Sequence, residues 1–248
     1  MNLVERLRRL DESGERAVLF TVLEGDGAGG KLLVLESGET QGDGPAELAE
    51  HAGELIRAGR NQQLDVDGRR VFGEVYGPPP RLLVYGAVDT AESLCRAAKL
   101  LGWTTIVADA RAKFATRERI PTADQLVVAW PEEAFAQVRP DHSTAVVILT
   151  HDDKFDVPAL KAALATDAFY VGALGSRRNQ ELRRERLLEA GVDEGALSRI
   201  AGPCGLDIGA DSNEETALSI LGEALAARAG RAGGPLRESK QRIHVDVS

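Results

Sequence analysis

From Arg81 onward, the chain alternates short apolar runs with helical stretches. The runs are RLLVY, TTIVAD, QLVVAW, TAVVILT and AFYVGAL. Nearly all-apolar strands that alternate with helices are typical of a parallel sheet covered on both faces. The sequence therefore predicts an α/β fold with a Rossmann-like parallel sheet and helices on both faces. Ligands of such sheets bind beyond the carboxyl ends of the strands, so we expect one shared rim formed by the loops 86–91, 109–111, 150–156, 172–178 and 204–212.

A proline run marks the domain boundary. Gly77 is followed by three prolines, which can continue neither a helix nor the middle of a sheet and so form a stiff joint. Before them, four strand-like runs flank a helical stretch at 45–58, and the stretch ESGETQGDGPAE is predicted to be a loop. The predicted organisation is a small α+β N-terminal domain at 1–77 and a Rossmann-like cofactor-binding domain at 78–248.

Composition excludes several classes of protein. The formal net charge of −9 argues against nucleic acid or an acidic membrane as a partner. The sequence contains no run of about 18 apolar residues, so it predicts no membrane span. Two cysteines, Cys95 and Cys204, are too few for a disulfide framework, and no CxxC zinc pattern is present. We therefore expect reduced thiols, a cytoplasmic location and no metal centre.

The turn GALGSRRN is the strongest local signal of a binding site. Gly172 and Gly175 permit backbone conformations that other residues resist, and Ser176 is placed to cap the following helix. A helix start favours anions and disfavours cations, so Arg177 and Arg178 at this position predict a phosphate or carboxylate site.

Surface pairing is the alternative explanation for the arginines of this helix. Arg177 and Arg178 could instead pair with surface acids such as Glu181. The later arginines lie in a segment rich in charges of both signs, and they are predicted to form a solvated face; they are Arg183, Arg184 and Arg186.

The segment GPCGLDIGADSNEETALSIL combines a rigid turn with a helix start. Ser212 and Glu215 have the spacing of a capping box. Asp207 lies between apolar neighbours and two glycines, Gly205 and Gly209, and an acid without a partner is costly there. We expect backbone N–H groups or a base to hold it on the rim.

One cysteine and one histidine also lie on the predicted rim as candidates. Cys204 is either a reactive thiol or, more commonly for this residue type, a small buried hydrophobe. His151 and the acids of THDDKFD could coordinate a metal, act in proton transfer or contact a cofactor, but their spacing matches no standard metal site. The alternative for this loop is helix capping, with Asp156 as the predicted N-cap.

The first strand ends in GAVDTA, where a dinucleotide-binding turn belongs. Gly86 suits the tight turn, but Val88 replaces the glycine that lets the backbone approach a pyrophosphate. Asp109, at the end of the second strand, stands where a ribose-binding acid is expected. Two interpretations therefore remain open. Either this turn binds NAD(P), or it is an inherited Rossmann turn that no longer binds a dinucleotide.

Three segments, HDDKFDVPAL, YVGALGSRR and GPCGLDIGADSNEETALSIL, resemble the signature segments of the XdhC/CoxI family, accessory factors of xanthine dehydrogenase and aerobic carbon monoxide dehydrogenase. The resemblance covers roughly residues 71–227. The family's GAGHVA turn is GAVDTA here. Its N-terminal GSxPRxxGA and GGCxE stretches correspond only to EGDGAGGKLLVLESGETQGDGPAEL, which has neither arginine nor cysteine.

The resemblance implies a maturation chaperone. Such a protein binds the molybdopterin-type molybdenum cofactor as cargo, shields it while its terminal sulfur ligand is installed, and delivers it to a molybdenum hydroxylase apoenzyme. A cysteine desulfurase is a second candidate partner, and a homodimer stays open. The phosphate of the cofactor matches the predicted anion site. The alternative is an NAD(P)-dependent Rossmann oxidoreductase, for which His151 is the candidate acid or base.

Overall fold

The computed structural model describes residues 3–240. The chain forms two compact units, one that runs to Pro78 and includes the described residues from Gly234, and one at Pro79–Gly233. Within the described range, no helix has the length and apolar character needed to cross a bilayer.

The first unit is built on a five-stranded antiparallel sheet with the order β3-β2-β1-β5-β4. Its strands are β1 (Ala17–Glu24), β2 (Lys31–Leu35), β3 (Thr40–Gly42), β4 (Gln62–Val66) and β5 (Arg69–Tyr76). Helix α1 (Leu3–Ser13) contributes Leu10 to one apolar cluster, whereas a 3-10 turn (Ala46–His51) and α2 (Ala52–Ala58) contribute to another. The predicted loop ESGETQGDGPAE is wrong in part, because β3 lies inside it. With three residues, none of them large and apolar, β3 leaves no pattern in the sequence.

The second unit contains a six-stranded parallel sheet with the order β11-β10-β9-β6-β7-β8. Its strands are β6 (Arg81–Tyr85), β7 (Thr104–Ala108), β8 (Gln125–Val127), β9 (Thr144–Ile148), β10 (Tyr170–Ala173) and β11 (Ile200–Ala201). The first and fourth of these strands in the chain, β6 and β9, are neighbours. Strand order therefore reverses between them, which is where ligands of open α/β sheets bind. The sequence prediction missed β11, because two residues are too few to show a strand pattern.

Helices cover both faces of this sheet, so the predicted Rossmann-type fold is confirmed. The helices are α3 (Asp89–Leu100), α4 (Pro131–Val138), α5 (Asp153–Leu164), α6 (Arg177–Glu189), α7 (Glu194–Leu197) and α8 (Asn213–Arg228). Residues of α3 and α8 join one apolar cluster, and residues of α4, α5 and α6 join the cluster on the opposite face.

The helix starts test the capping predictions. Ser176 caps α6, and Ser212 and Glu215 form the predicted capping box of α8. The predicted N-cap Asp156 is wrong. Helix α5 begins earlier, at Asp153, and is capped by Asp152, whose carboxylate accepts a bond from the Lys154 N–H. Asp156 therefore lies inside the helix, where its side chain is buried.

Candidate functional site

The five predicted rim loops follow the carboxyl ends of β6, β7, β9, β10 and β11. These strands are mutually parallel, so the loops lie along one edge of the sheet as predicted. Backbone hydrogen bonds link the start of a rim loop to the end of the neighbouring strand in two places. The Leu174 N–H donates to Ile148 O at 3.0 Å, and the Cys204 N–H donates to Ala173 O at 3.1 Å.

The turn after β10 presents two exposed cations. The Ser176 hydroxyl accepts a hydrogen bond from the Asn179 N–H at 3.3 Å and so closes the first turn of α6. Arg177 and Arg178 are exposed, and neither side chain has a hydrogen bond or ion pair with another residue in 3–240, including Glu181. Two exposed guanidinium groups at a helix start supply the kind of donors that bind phosphate or carboxylate groups in proteins.

Arg183 contradicts the predicted solvated face. Its side chain is 5 % exposed and pairs with the similarly buried Asp156. Nε donates to Asp156 Oδ2 at 2.6 Å, and Nη2 donates to Asp156 Oδ1 at 3.1 Å. Arg184 and Arg186 do lie at the surface, where they pair with Glu194 and Asp153. The arginines of one helix thus divide between an internal cross-link and the surface.

The buried pair extends into a network that holds two rim loops. Arg183 Nη2 donates to Leu174 O at 3.1 Å, and Nη1 donates to Gln180 Oε1 at 2.6 Å. Gln180 in turn donates to Ala173 O at 3.1 Å. On the other side, the Thr150 hydroxyl donates to Asp156 Oδ1 at 3.3 Å. The network therefore fixes the loops after β9 and β10, directly beside the Arg177–Arg178 turn.

Asp109 is fully engaged by the protein itself. It is 1 % exposed and accepts hydrogen bonds from Ala87 N at 2.9 Å, Arg111 Nε at 2.9 Å and Arg111 Nη2 at 2.8 Å. Burial works to raise the pKa of the Asp109 carboxyl, but the bonds from Arg111 and Ala87 hold that pKa below its ordinary value. A ribose would have to displace Arg111 to reach this acid.

The glycine of the first turn is required by the close approach of two loops. Gly86 has φ +114°, and a Cβ there would lie 3.2 Å from the backbone nitrogen of Thr150. The turn therefore packs directly against the loop after β9, at the point where strand order reverses.

Two of the predicted cofactor-binding glycines lie close to the protein's own side chains. A Cβ at Gly172 would lie 2.7 Å from the Tyr170 ring, and one at Gly205 would collide with the Ser219 hydroxyl. A larger residue at either position would therefore clash with the protein itself, so internal packing requires glycine at both. Gly175 and Gly209 have no such close contact.

The segment after β11 departs from prediction at Asp207. This acid is exposed and has no hydrogen bond or ion pair within residues 3–240, so the expected backbone clamp is wrong. Its neighbour Leu206 packs close to Gly222, whereas Asp207 and Ile208 are both exposed. The clamp of this segment is Glu223, which accepts bonds from the Tyr170 hydroxyl at 2.5 Å and the Gly205 N–H at 2.7 Å.

The two candidate catalytic side chains differ in environment. Cys204 is half-buried, and burial, assisted by the charge of Glu223, raises the pKa of its thiol to about 12. The thiol therefore stays protonated near neutral pH and behaves as a small apolar group. His151 is exposed on the loop after β9, with no hydrogen bond to the rest of the described chain.

Sequence reasoning overlooked an aromatic cluster at the start of α4 and α5. Trp130 is 51 % exposed, and its ring centroid lies 5.1 Å from that of Phe155. The guanidinium of Arg111 lies 4.1 Å from the centroid of the Phe114 ring. The dipeptide Trp130-Pro131 was the available signal, since proline at a first helical position places the preceding residue in the loop after β8.

A cleft of about 340 Å³ lies between α6, α7 and β11. Its wall includes Gln180 and Gly202, which lie next to the rim loops, but not Arg177 or Arg178. Among the residues that the structure describes, no three His, Cys, Asp or Glu side chains are grouped to hold a metal ion.

Comparison with known proteins identifies relatives of the second unit. The model of the XdhC Rossmann domain family matches residues 82–224. A Bacillus subtilis (strain 168) protein named as a probable xanthine dehydrogenase subunit is 32% identical over 151 residues, which cover 61% of this chain and 44% of that protein. The molybdenum cofactor insertion chaperone PaoD of Escherichia coli (strain K12) is 31% identical over 153 residues, covering 62% of this chain and 42% of PaoD. The matched segment thus spans less than half of either relative.

A solved structure resembles the chain over almost its whole length. The crystal structure of a xanthine dehydrogenase from Bacillus halodurans aligns with a TM-score of 0.67 and 25% sequence identity, covering 96% of this chain and 66% of the other. The likeness therefore extends beyond the Rossmann part into the first unit.

Proposed function

The chain belongs to the XdhC family, and from that premise we propose that it is a maturation chaperone of the molybdenum cofactor. In this proposal it binds the cofactor as cargo, shields it while the terminal sulfur ligand is installed, and delivers it to a molybdenum hydroxylase of the xanthine dehydrogenase type. The names of two relatives, one an insertion chaperone and the other a probable xanthine dehydrogenase component, support this assignment.

The observation that carries the proposal is the exposed arginine pair at the start of α6. The pterin cofactor carries a phosphate or a nucleotide pyrophosphate, and Arg177 and Arg178 offer that group exposed donors beside a capped helix start. Hydrogen bonds to charged groups contribute about 1.5–3 kcal/mol each. The residues present therefore fit the anionic end of the cargo.

The neighbouring residues position this anion site without reacting. The Asp156–Arg183 pair anchors the backbone at Leu174, two residues before Ser176. The rim then presents Gly175 and Ser176 in a fixed turn. Because the Cys204 thiol stays protonated near neutral pH, we assign it no covalent step. The chain binds and transfers its cargo and does not turn it over.

The proposal names the partners by their chemistry. The recipient is a molybdenum hydroxylase apoenzyme that lacks its cofactor. The donor of the terminal sulfur is a cysteine desulfurase, which must reach the cofactor while the chaperone holds it.

The alternative function, an NAD(P)-dependent oxidoreductase, uses the same sheet edge. Its ribose-binding acid would be Asp109, but both carboxylate oxygens of that residue are occupied by Arg111 and Ala87. In the part of the chain that the structure describes, no feature of the rim favours this alternative over cofactor delivery.

Equilibrium titration separates the two functions. Purified protein is titrated with molybdopterin released from a molybdenum hydroxylase, and separately with NAD⁺ and NADP⁺. We expect molybdopterin to bind more tightly than either nucleotide, and we expect the loaded protein to activate a cofactor-free hydroxylase faster than free molybdopterin does. Micromolar affinity for NAD⁺ or NADP⁺ together with no detectable molybdopterin binding would contradict the proposal.

A further inference from the structure

Trp130, Phe155, Arg111 and Phe114 form a connected aromatic cluster on the rim, here called the ring platform. Trp130 packs on Phe155 with an angle of 48° between the rings. Arg111 lies between the two phenylalanines, with its guanidinium 4.1 Å from the Phe114 centroid and 5.7 Å from that of Phe155. The platform therefore joins the loops after β7 and β8 to the first turn of α5.

The platform is held rigidly and stays partly open. Two hydrogen bonds to Asp109 fix the Arg111 guanidinium, and Pro131 begins α4 immediately after Trp130. Half of the Trp130 surface is nevertheless open, at 51 % exposure, whereas the other tryptophan, Trp103, is buried at 3 %. An exposed indole is suited to stacking a flat heterocycle, as aromatic side chains do with nucleic-acid bases.

The ring platform and the anion site involve different helices, which limits the ligands that can contact both. Helices α4, α5 and α6 contribute to one face, with α4 packed on α5 and α5 packed on α6. Packed helices lie about 8–10 Å apart, and α5 lies between α4 and α6, so Trp130 at the start of α4 and the arginine pair at the start of α6 belong to helices that are not direct neighbours. A ligand that reaches both sites needs an anion at one place and a second planar ring well removed from it.

Resting on the proposed function, we propose that the ring platform stacks a terminal heterocycle of the longer, dinucleotide form of the molybdenum cofactor, while its phosphates lie at Arg177 and Arg178. The mononucleotide form then uses the anion site alone. Trp130 would contribute stacking, which is sequence-tolerant because every base has a π-face. The proposal assigns a specificity role to a side chain that makes no charged contact with the cargo.

Tryptophan fluorescence tests this directly, since the chain has two tryptophans. In a Trp103→Phe protein, emission comes from Trp130 alone, and we expect molybdopterin cytosine dinucleotide to quench it strongly and molybdopterin to quench it weakly. A Trp130→Phe protein, which emits from buried Trp103, reports absorption by the ligand and serves as the optical control. Binding of the dinucleotide without quenching of Trp130 beyond that control overturns the inference, and equal quenching by both ligands overturns its assignment to the longer form.

Affinity gives the second readout. Trp130→Leu should weaken dinucleotide binding about 10-fold or more, Trp130→Phe should recover most of the loss, and Val128→Ala, a change at the exposed residue two positions earlier, should have no effect. If Trp130→Leu leaves dinucleotide affinity unchanged but slows hydroxylase activation, the platform docks a protein and the inference is wrong. A wild-type protein that binds neither cofactor form contradicts the proposed function as well, whereas binding without a Trp130 effect contradicts this inference alone.

Discussion

The two sides of the rim use arginine differently. On the β6–β7 side, Arg111 is turned inward onto Asp109 and closes the loops after β6 and β7. On the β10 side, Arg183 performs the same internal task with Asp156, while Arg177 and Arg178 remain exposed and unpaired within the described chain. The difference teaches that a charged residue on a Rossmann rim indicates a ligand only when the protein has not already supplied its counter-ion.

Breaking the buried Arg183–Asp156 pair on the β10 side should have the largest effect on stability. Arg183→Met keeps much of the side-chain volume but leaves the Asp156 carboxylate buried without its base, a change that costs about 3–5 kcal/mol. Arg186→Met on the same helix removes a surface pair and should cost no more than about 1 kcal/mol. Urea unfolding of both variants checks the comparison, and equal losses would show that the buried pair contributes no special stability.

Breaking the Asp109–Arg111 pair on the β6–β7 side should have an intermediate effect on stability. Asp109→Asn removes the charge that Arg111 and Ala87 N–H contact, and we expect a loss of about 2–3 kcal/mol. Asp89→Asn, at an acid whose side chain is 82% exposed and which pairs with Arg119, is the matched control and should cost no more than about 1 kcal/mol. Urea unfolding again provides the measurement.

The Asp109 effect should also depend on pH. Because the pKa of the Asp109 carboxyl is lowered in the folded protein, its stabilisation is fully present above its unfolded pKa of about 3.9 and is lost as pH falls through the lower folded value. The stability difference between wild type and Asp109→Asn should be constant near neutral pH and shrink below about pH 4. A difference that grows on acidification would contradict the assigned pairing.

Removing the exposed Arg177 and Arg178 should have the smallest effect on stability. Arg177→Ala combined with Arg178→Ala deletes two exposed side chains that hold no other part of the described chain, and we expect a change of about 0.5 kcal/mol or less. Thermal and urea unfolding provide the measurement. A loss comparable with that of Arg183→Met would mean that these arginines are structural.

The sequence predicted the sheet and its rim because both depend on local patterns. Apolar runs such as TAVVILT mark buried strands, and Ser176 and Ser212 mark helix starts through short-range capping chemistry. Arg183 could not be placed in this way. Helix α6 carries charges around most of its circumference, and the partner that draws Arg183 inward, Asp156, lies 27 residues away on another helix.

The most direct test of the account is molybdopterin affinity of the Arg177→Ala/Arg178→Ala protein beside that of an Arg184→Ala/Arg186→Ala protein. The second variant removes the same charge from the same helix, at arginines already paired with Glu194 and Asp153. We predict that the first variant loses about 2–4 kcal/mol of binding free energy, roughly 30- to 1000-fold in affinity, while the second binds nearly as wild type does. Equal affinities in all three proteins, or equal losses in both variants, would contradict the assignment of the anion site.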